Sequence, residues 1–86
     1  MKSKASNKDL RLVDVRTEGE FSNHSIRGAI NIPLHTLSNR MDKLEHDKEI
    51  AVICQSGMRS LKASKQLKKN QFTNVVNVRG GMNSWK

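Results

Sequence analysis

The stretch that decides the fold is Glu49-Ile50-Ala51-Val52-Ile53-Cys54-Gln55-Ser56-Gly57-Met58-Arg59-Ser60. Its first half is a short apolar run, rich in branched side chains, of the length of a buried strand. The run stops at Cys54. Gln55 to Met58 then suits a tight loop, with Gly57 free to take a positive φ. Beyond it, Arg59 to about Lys69 reads as a helix, with Leu61, Ser64 and Leu67 marking its inner side and Ala63 assisting. Asn70 is placed to close that helix in a left-handed conformation. Strand, short loop and helix therefore follow one another, with a cysteine at the carboxyl end of the strand.

The flanking sequence repeats this alternation. Leu10-Arg11-Leu12-Val13-Asp14-Val15 is a second strand pattern. Thr17-x-x-Glu20 has the spacing of a capping box, so a short helical turn is expected there, with Phe21 as its anchor in the core. Ala29 to Ile32 is a short strand stopped by Pro33. Leu34, Leu37, Met41 and Leu44 predict an amphipathic helix. Asn74 to Val78 is a fourth strand, Gly80-Gly81 a turn, and Met82 to Trp85 a closing helical turn. Strands alternating with helices imply an α/β sandwich, three layers deep, on a mainly parallel central sheet. Ligand sites in such sheets lie at the carboxyl ends of the strands, where Cys54 is. Residues 10–86 form the domain, and the polar residues 1–9 read as a flexible segment.

Composition narrows the function. The 86 residues are 35% hydrophobic and 28% charged, a balance that suits one small soluble domain. A domain of this size buries only about 60–65% of its unfolded surface, so its core must be compact. Neither a signal peptide nor a membrane span is legible, which makes the cytoplasm the expected location. With a single cysteine, an intramolecular disulfide, a CxxC pair and a cysteine zinc cluster are all excluded. His24, His35 and His46 lie far apart with no ligand spacing between them. The net charge is +8, and all eight Asp and Glu residues lie at or before Glu49. The basic second half fits either a solvated helix face or a field that attracts small anions or an acidic partner. Without aromatic stacking platforms or a recognised motif, nucleic acid is a poor fit.

Cys54 carries the chemistry. A loop of successive backbone N–H groups can form an anion nest. The start of a helix adds partial positive charge, and Arg59 adds a full one. Each favours thiolate over thiol. An inert cysteine at the end of a core strand is the plain alternative, but such a strand end has no need of Gln-Ser-Gly-Met-Arg-Ser after it.

Taken in order, Asp14-Val15-Arg16, Glu20-Phe21, Gly28-Ala29-Ile30-Asn31-Ile32-Pro33, Cys54 to Ser60, and Gly80-Gly81 with Trp85 resemble a single-domain rhodanese, the thiosulfate sulfurtransferase group. The resemblance covers nearly everything after residue 10. It implies that Cys54 carries sulfur as a persulfide and that Gln55, Ser56, Gly57, Met58 and Arg59 form the loop that cradles it. Ser60 starts the helix behind. Asp14 and Arg16 are supporting residues that brace the loop, with Arg16–Glu20 as an ion pair. It further implies a small anionic donor such as thiosulfate, a cyanide or thiol acceptor that can be a protein, and neither metal nor organic cofactor. Two departures stand out. His24-Ser25-Ile26 replaces the Gly-His-Ile common in the family, which leaves His24 without the family's histidine position. Few residues precede the Asp-x-Arg strand, so the family's first strand is expected to be short or missing. Two rivals differ in chemistry. A cysteine phosphatase or arsenate reductase needs five residues between Cys and Arg, whereas four separate Cys54 from Arg59. A non-catalytic or redox-sensing module of the same fold is the other.

Overall fold

The computed structural model describes residues 10–85. The segment 1–9, expected to be flexible, and any strand it holds lie outside the described residues. Four strands form one sheet, β1 (Leu10–Asp14), β2 (Ile30–Asn31), β3 (Glu49–Ile53) and β4 (Val75–Asn77). All pairings are parallel and the spatial order is β2-β1-β3-β4. Three helices accompany them, α1 (Glu18–Asn23), α2 (Met58–Lys69) and α3 (Gly81–Ser84). The expected α/β class and parallel sheet are therefore what the chain forms.

Layering follows from connection handedness. From β1 the chain steps outward to β2, then returns past β1 to β3 and on to β4. Right-handed crossovers place the connection for one direction on one face and those for the other direction on the opposite face. Hence α1 covers one side, while α2 and the segment between β2 and β3 cover the other, where the two touch. The core between these layers is aliphatic, built on Val13, Val15, Ile32, Leu37, Leu44, Ile50, Val52 and Leu67, with Phe72 as its one fully buried aromatic.

Several expectations are corrected. Leu34 to Leu44 is not an α-helix but two 3-10 segments, Leu34–Asn39 and Met41–Lys43, separated at Arg40. The apolar steps 34 to 37 and 41 to 44 are three residues long, which suits three residues per turn as well as 3.6. Leu37 and Leu44 are buried as expected, so the pattern identifies the packed side chains but not the helix type. Phe21 is only half-buried, and Phe72 holds the core position instead. Leu61 faces outward, since the inner face of α2 is Ser60, Ala63, Ser64 and Leu67. After α2, Gln71 rather than Asn70 takes the positive φ, at 69°. Asn70 closes the helix differently, its Nδ2 donating to the Gln66 carbonyl at 2.8 Å.

The reversal of strand order lies between β1 and β3. Their carboxyl ends therefore form the crevice in which an open parallel sheet binds ligands. Asp14 pairs in register with Ile53, so the chain leaves β1 as Val15-Arg16 directly beside Cys54-Gln55 leaving β3.

Candidate active site

Cys54 is 1% exposed and lies at the floor of the loop that joins β3 to α2. The N–H of Gly57 donates to its Sγ at 3.0 Å and that of Ser60 at 3.3 Å. The Ser60 hydroxyl stands 3.4 Å from the same sulfur. Gly57 makes this possible with φ at 104°, a left-handed conformation that other residues adopt only at a cost. Burial pushes the Cys54 thiol pKa up, but the Ser60 hydroxyl and the amides of Ser60, Gly57 and Ser56 outweigh it, and the net shift is downward. The sulfur also faces the N-terminus of a 12-residue helix, whose dipole favours an anion.

The loop is held from behind by α3. The N–H of Met82 donates to the Cys54 carbonyl at 2.7 Å, and that of Asn83 to the Gln55 carbonyl at 3.0 Å. A trans peptide is planar, with its N–H opposed to its C=O. Turning the Gln55 carbonyl out toward Asn83 therefore turns the Ser56 N–H in toward the sulfur. Gly81 allows α3 to come this close. A Cβ there would stand 2.2 Å from the Cys54 carbonyl oxygen.

The side chains of the loop do less at the sulfur than its backbone. Gln55 is a cross-tie, accepting from Arg16 Nη1 at 3.4 Å and donating to Asn83 Oδ1 at 2.6 Å. Ser56 is exposed and offers its amide. Met58 points into solvent, 70% exposed. Arg59 does not aim its charge at the sulfur alone. It forms a two-pronged ion pair with Glu20, at 2.7 and 3.1 Å. That pairing holds the Glu20 carboxyl down at about 2, helped by the N–H of Thr17, and raises the pKa of Arg59.

This overturns the expected Arg16–Glu20 pair. Arg16 is instead buried against Asp14, with Nη2 and Oδ2 2.8 Å apart. Asp14 also accepts from the Arg16 backbone N–H at 3.0 Å. The guanidinium reaches on to the His24 carbonyl at 2.6 Å, so the part of His24 that matters is its backbone. Thr17 and Glu20 form the expected capping box.

Three contributors were not legible as such. Asn31 donates to the carbonyls of both Asp14 and Arg16 at 3.0 Å, fixing the turn after β1. Asn77 Oδ1 lies within hydrogen-bond distance of the Ser60 hydroxyl and competes with the Cys54 sulfur for its one proton. Asn83 ties down Gln55. Asn31 and Asn77 sit in strands, where asparagine is disfavoured, and that was the one available signal.

A cavity of about 370 Å³, lined by Met41, Leu44, His46 and Phe72, opens at the amino ends of β3 and β4, the pole away from Cys54. Among the described residues no group of three or more His, Cys, Asp or Glu could hold a metal ion, and no helix is long and apolar enough to cross a membrane.

The family model for the rhodanese-like domain matches residues 1–86. The chain belongs to the rhodanese-like domain family. It is 38% identical to the protein YqhL of Bacillus subtilis over 95% of this chain, and spans 65% of that relative's length. It is 35% identical to a sulfurtransferase of Allochromatium vinosum, covering 94% of this chain and 76% of the relative. Among solved structures, a rhodanese-like domain protein from Staphylococcus aureus superposes with a TM-score of 0.86 at 31% identity, covering all of this chain and 79% of that one. The rhodanese fold thus accounts for the parallel sheet.

Proposed function

We propose that this rhodanese-like domain is a sulfurtransferase that carries sulfane sulfur on Cys54. The observation that supports it most is the convergence of the Gly57 and Ser60 amides on one sulfur atom whose thiolate they favour. The kinship with a named sulfurtransferase agrees with it.

The cycle is a double displacement. The Cys54 thiolate attacks the outer sulfur of thiosulfate. The S–S bond of the donor breaks, and sulfite leaves with the electron pair. The outer sulfur of the resulting persulfide is anionic, and the loop amides stabilise it as they stabilise the thiolate. Cyanide or a thiolate then takes that sulfur, the persulfide S–S bond breaks, and the Cys54 thiolate returns. Since Cys54 is the one cysteine in the chain, discharge needs an outside acceptor. Because the sulfur sits at the floor of the loop, slender donors such as thiosulfate or a terminal persulfide suit it. A reactive free thiol of this kind suits a reducing compartment, the cytoplasm.

Gln55 and Arg59 hold the loop in shape through Arg16, Asn83 and Glu20, and Asp14 with Arg16 braces it from β1. The deciding experiment is incubation with thiosulfate followed by intact mass measurement, then addition of cyanide and assay of thiocyanate. One added sulfur, lost to cyanide and absent from Cys54→Ser, is the expected result. An unmodified wild-type mass would overturn the proposal, and release of phosphate from an aryl phosphate would point to phosphatase chemistry instead.

A further inference from the structure

We infer that the outer face of α2 is the docking surface for an acidic protein whose thiol exchanges sulfur with Cys54. The inference rests on the sulfur-carrier reading and adds the kind of partner.

Helical spacing defines the surface. The buried face of α2 is Ser60, Ala63, Ser64 and Leu67. Met58, Lys62, Lys65 and Lys69 follow at steps of four, three and four, which stacks them in one stripe on the opposite side. The stripe begins at the loop around Cys54 and runs about 16 Å along the helix. Leu61 flanks its start and is 41% exposed. A partner approaching the sulfur thus meets an apolar contact, Met58 and Leu61, and then a row of ammonium groups.

Lys69, in the last turn, favours the helix by facing its negative end, but Lys62 and Lys65 do not serve the helix itself. α2 contains no carboxylate, nor does any position after Glu49. Lys62–Lys65, Lys65–Lys68 and Lys65–Lys69 are like-charge neighbours that repel one another along the helix. Among the described residues, neither Lys62, Lys65 nor Lys69 takes part in an ion pair. Glu20, the carboxylate that reaches the loop, is already consumed by Arg59. A stripe of unpaired cations leading to a buried sulfur fits a partner of opposite sign. The partner must also bring its own thiol to the mouth of the loop, because Cys54 is buried. An apolar contact beside that mouth favours a protein over nucleic acid, and the outer face of α2 holds no aromatic ring on which bases could stack.

The test uses the whole chain, loaded with sulfur from thiosulfate, and three defined acceptors. One is a synthetic peptide with a single cysteine beside leucine and four trailing glutamates. The second has lysines in place of the glutamates. The third is dithiothreitol, which is uncharged. The acidic peptide should discharge the persulfide with a kcat/KM about tenfold or more above the basic one at low salt, and the gap should close at about 0.5 M salt. Lys62→Glu/Lys65→Glu/Lys69→Glu should reverse the preference, and Leu61→Ser should lower kcat/KM for the acidic peptide, both leaving dithiothreitol discharge unchanged. Equal kcat/KM for the two peptides, or a preference untouched by the triple variant, would overturn the docking surface while leaving the sulfur-carrier reading intact. So would tighter binding of a single-stranded oligonucleotide than of the acidic peptide, which would make the stripe a nucleic-acid site. A wild type that takes up no sulfur, or that dithiothreitol fails to discharge, would remove both readings.

Discussion

Replacing Gly81 with alanine tests whether α3 shapes the sulfur site. Gly81 has φ at 57°, and a Cβ added there would meet the Cys54 oxygen at 2.2 Å and the Gln55 carbonyl carbon and oxygen at 2.8 Å. These are backbone atoms and cannot swing aside. Ordinary contact would need a shift of roughly 1 Å or more. The left-handed conformation alone costs an alanine roughly 1–2 kcal/mol. A shift of that size also weakens the bonds from Met82 and Asn83 to the loop carbonyls, each worth about 0.5–1.5 kcal/mol. Together the loss is about 2–5 kcal/mol. For a domain of this size each kcal/mol moves Tm by about 4–8 °C, so Gly81→Ala should melt at least ~8 °C below wild type in a circular dichroism scan. With the carbonyls released, the Ser56 amide loses its orientation, so the Cys54 thiolate should titrate at higher pH when followed by iodoacetamide alkylation. Gly19→Ala is the control. Nothing lies within 4 Å of a Cβ there, and alanine inside a helix is favoured over glycine by roughly 0.5–1 kcal/mol. A Gly81→Ala protein that melts within about 2 °C of wild type, with an unchanged thiolate titration, would refute the buttress.

Two further predictions follow from the pKa shifts. Cys54 is shifted downward from the ordinary thiol value of 9.0 by hydrogen bonds that outweigh burial, so its alkylation should rise through a midpoint below that value. Ser60→Ala removes the hydroxyl and should move that midpoint upward at constant fold; no movement would exclude the hydroxyl from thiolate support. Glu20 has a folded pKa of about 2 against an ordinary 4.5. A depressed acid stabilises the fold above its unfolded pKa and loses that contribution as pH falls through its folded one. Glu20→Gln should therefore cost stability in urea unfolding at pH 7, about 1 kcal/mol once solvent screening of this half-exposed pair is allowed for. The difference from wild type should shrink from about pH 4.5 downward and vanish near pH 2; a pH-independent difference would show that the carboxylate charge is not what matters.

Parts of the site were legible because they are local. The capping box spans four residues, the strands declare themselves by apolar runs, and Cys54 with its loop and helix start is one continuous segment. Burial was legible too where periodicity encodes it, as at Leu37, Leu44 and Leu67, whereas the two 3-10 segments were not distinguishable from an α-helix on a spacing that serves both. Ser64 and Leu67 lie on the inner side of α2 as their spacing predicts, but the small polar Ser60 takes the buried place that the apolar pattern assigns to Leu61.

The order of strands and helices, the single thiol at a strand end, and a loop too short for the phosphatase pattern are all written in the residues. Which groups meet across the switch point is set by the folded arrangement alone. Asp14, Glu18 and Glu20 all lie within four residues of Arg16, and no carboxylate lies near Arg59 along the chain, so the pairing of Arg16 with Asp14 and of Arg59 with Glu20, 39 residues away, cannot be read from spacing. Asn31, Asn77, Asn83 and Gly81 act through strands and helices brought alongside the loop by parallel crossovers. Sequence periodicity records how much of a side chain is buried. It carries no record of which buried partner lies opposite, because that is set by the register of β1 against β3 and by the return of α3 beneath Cys54.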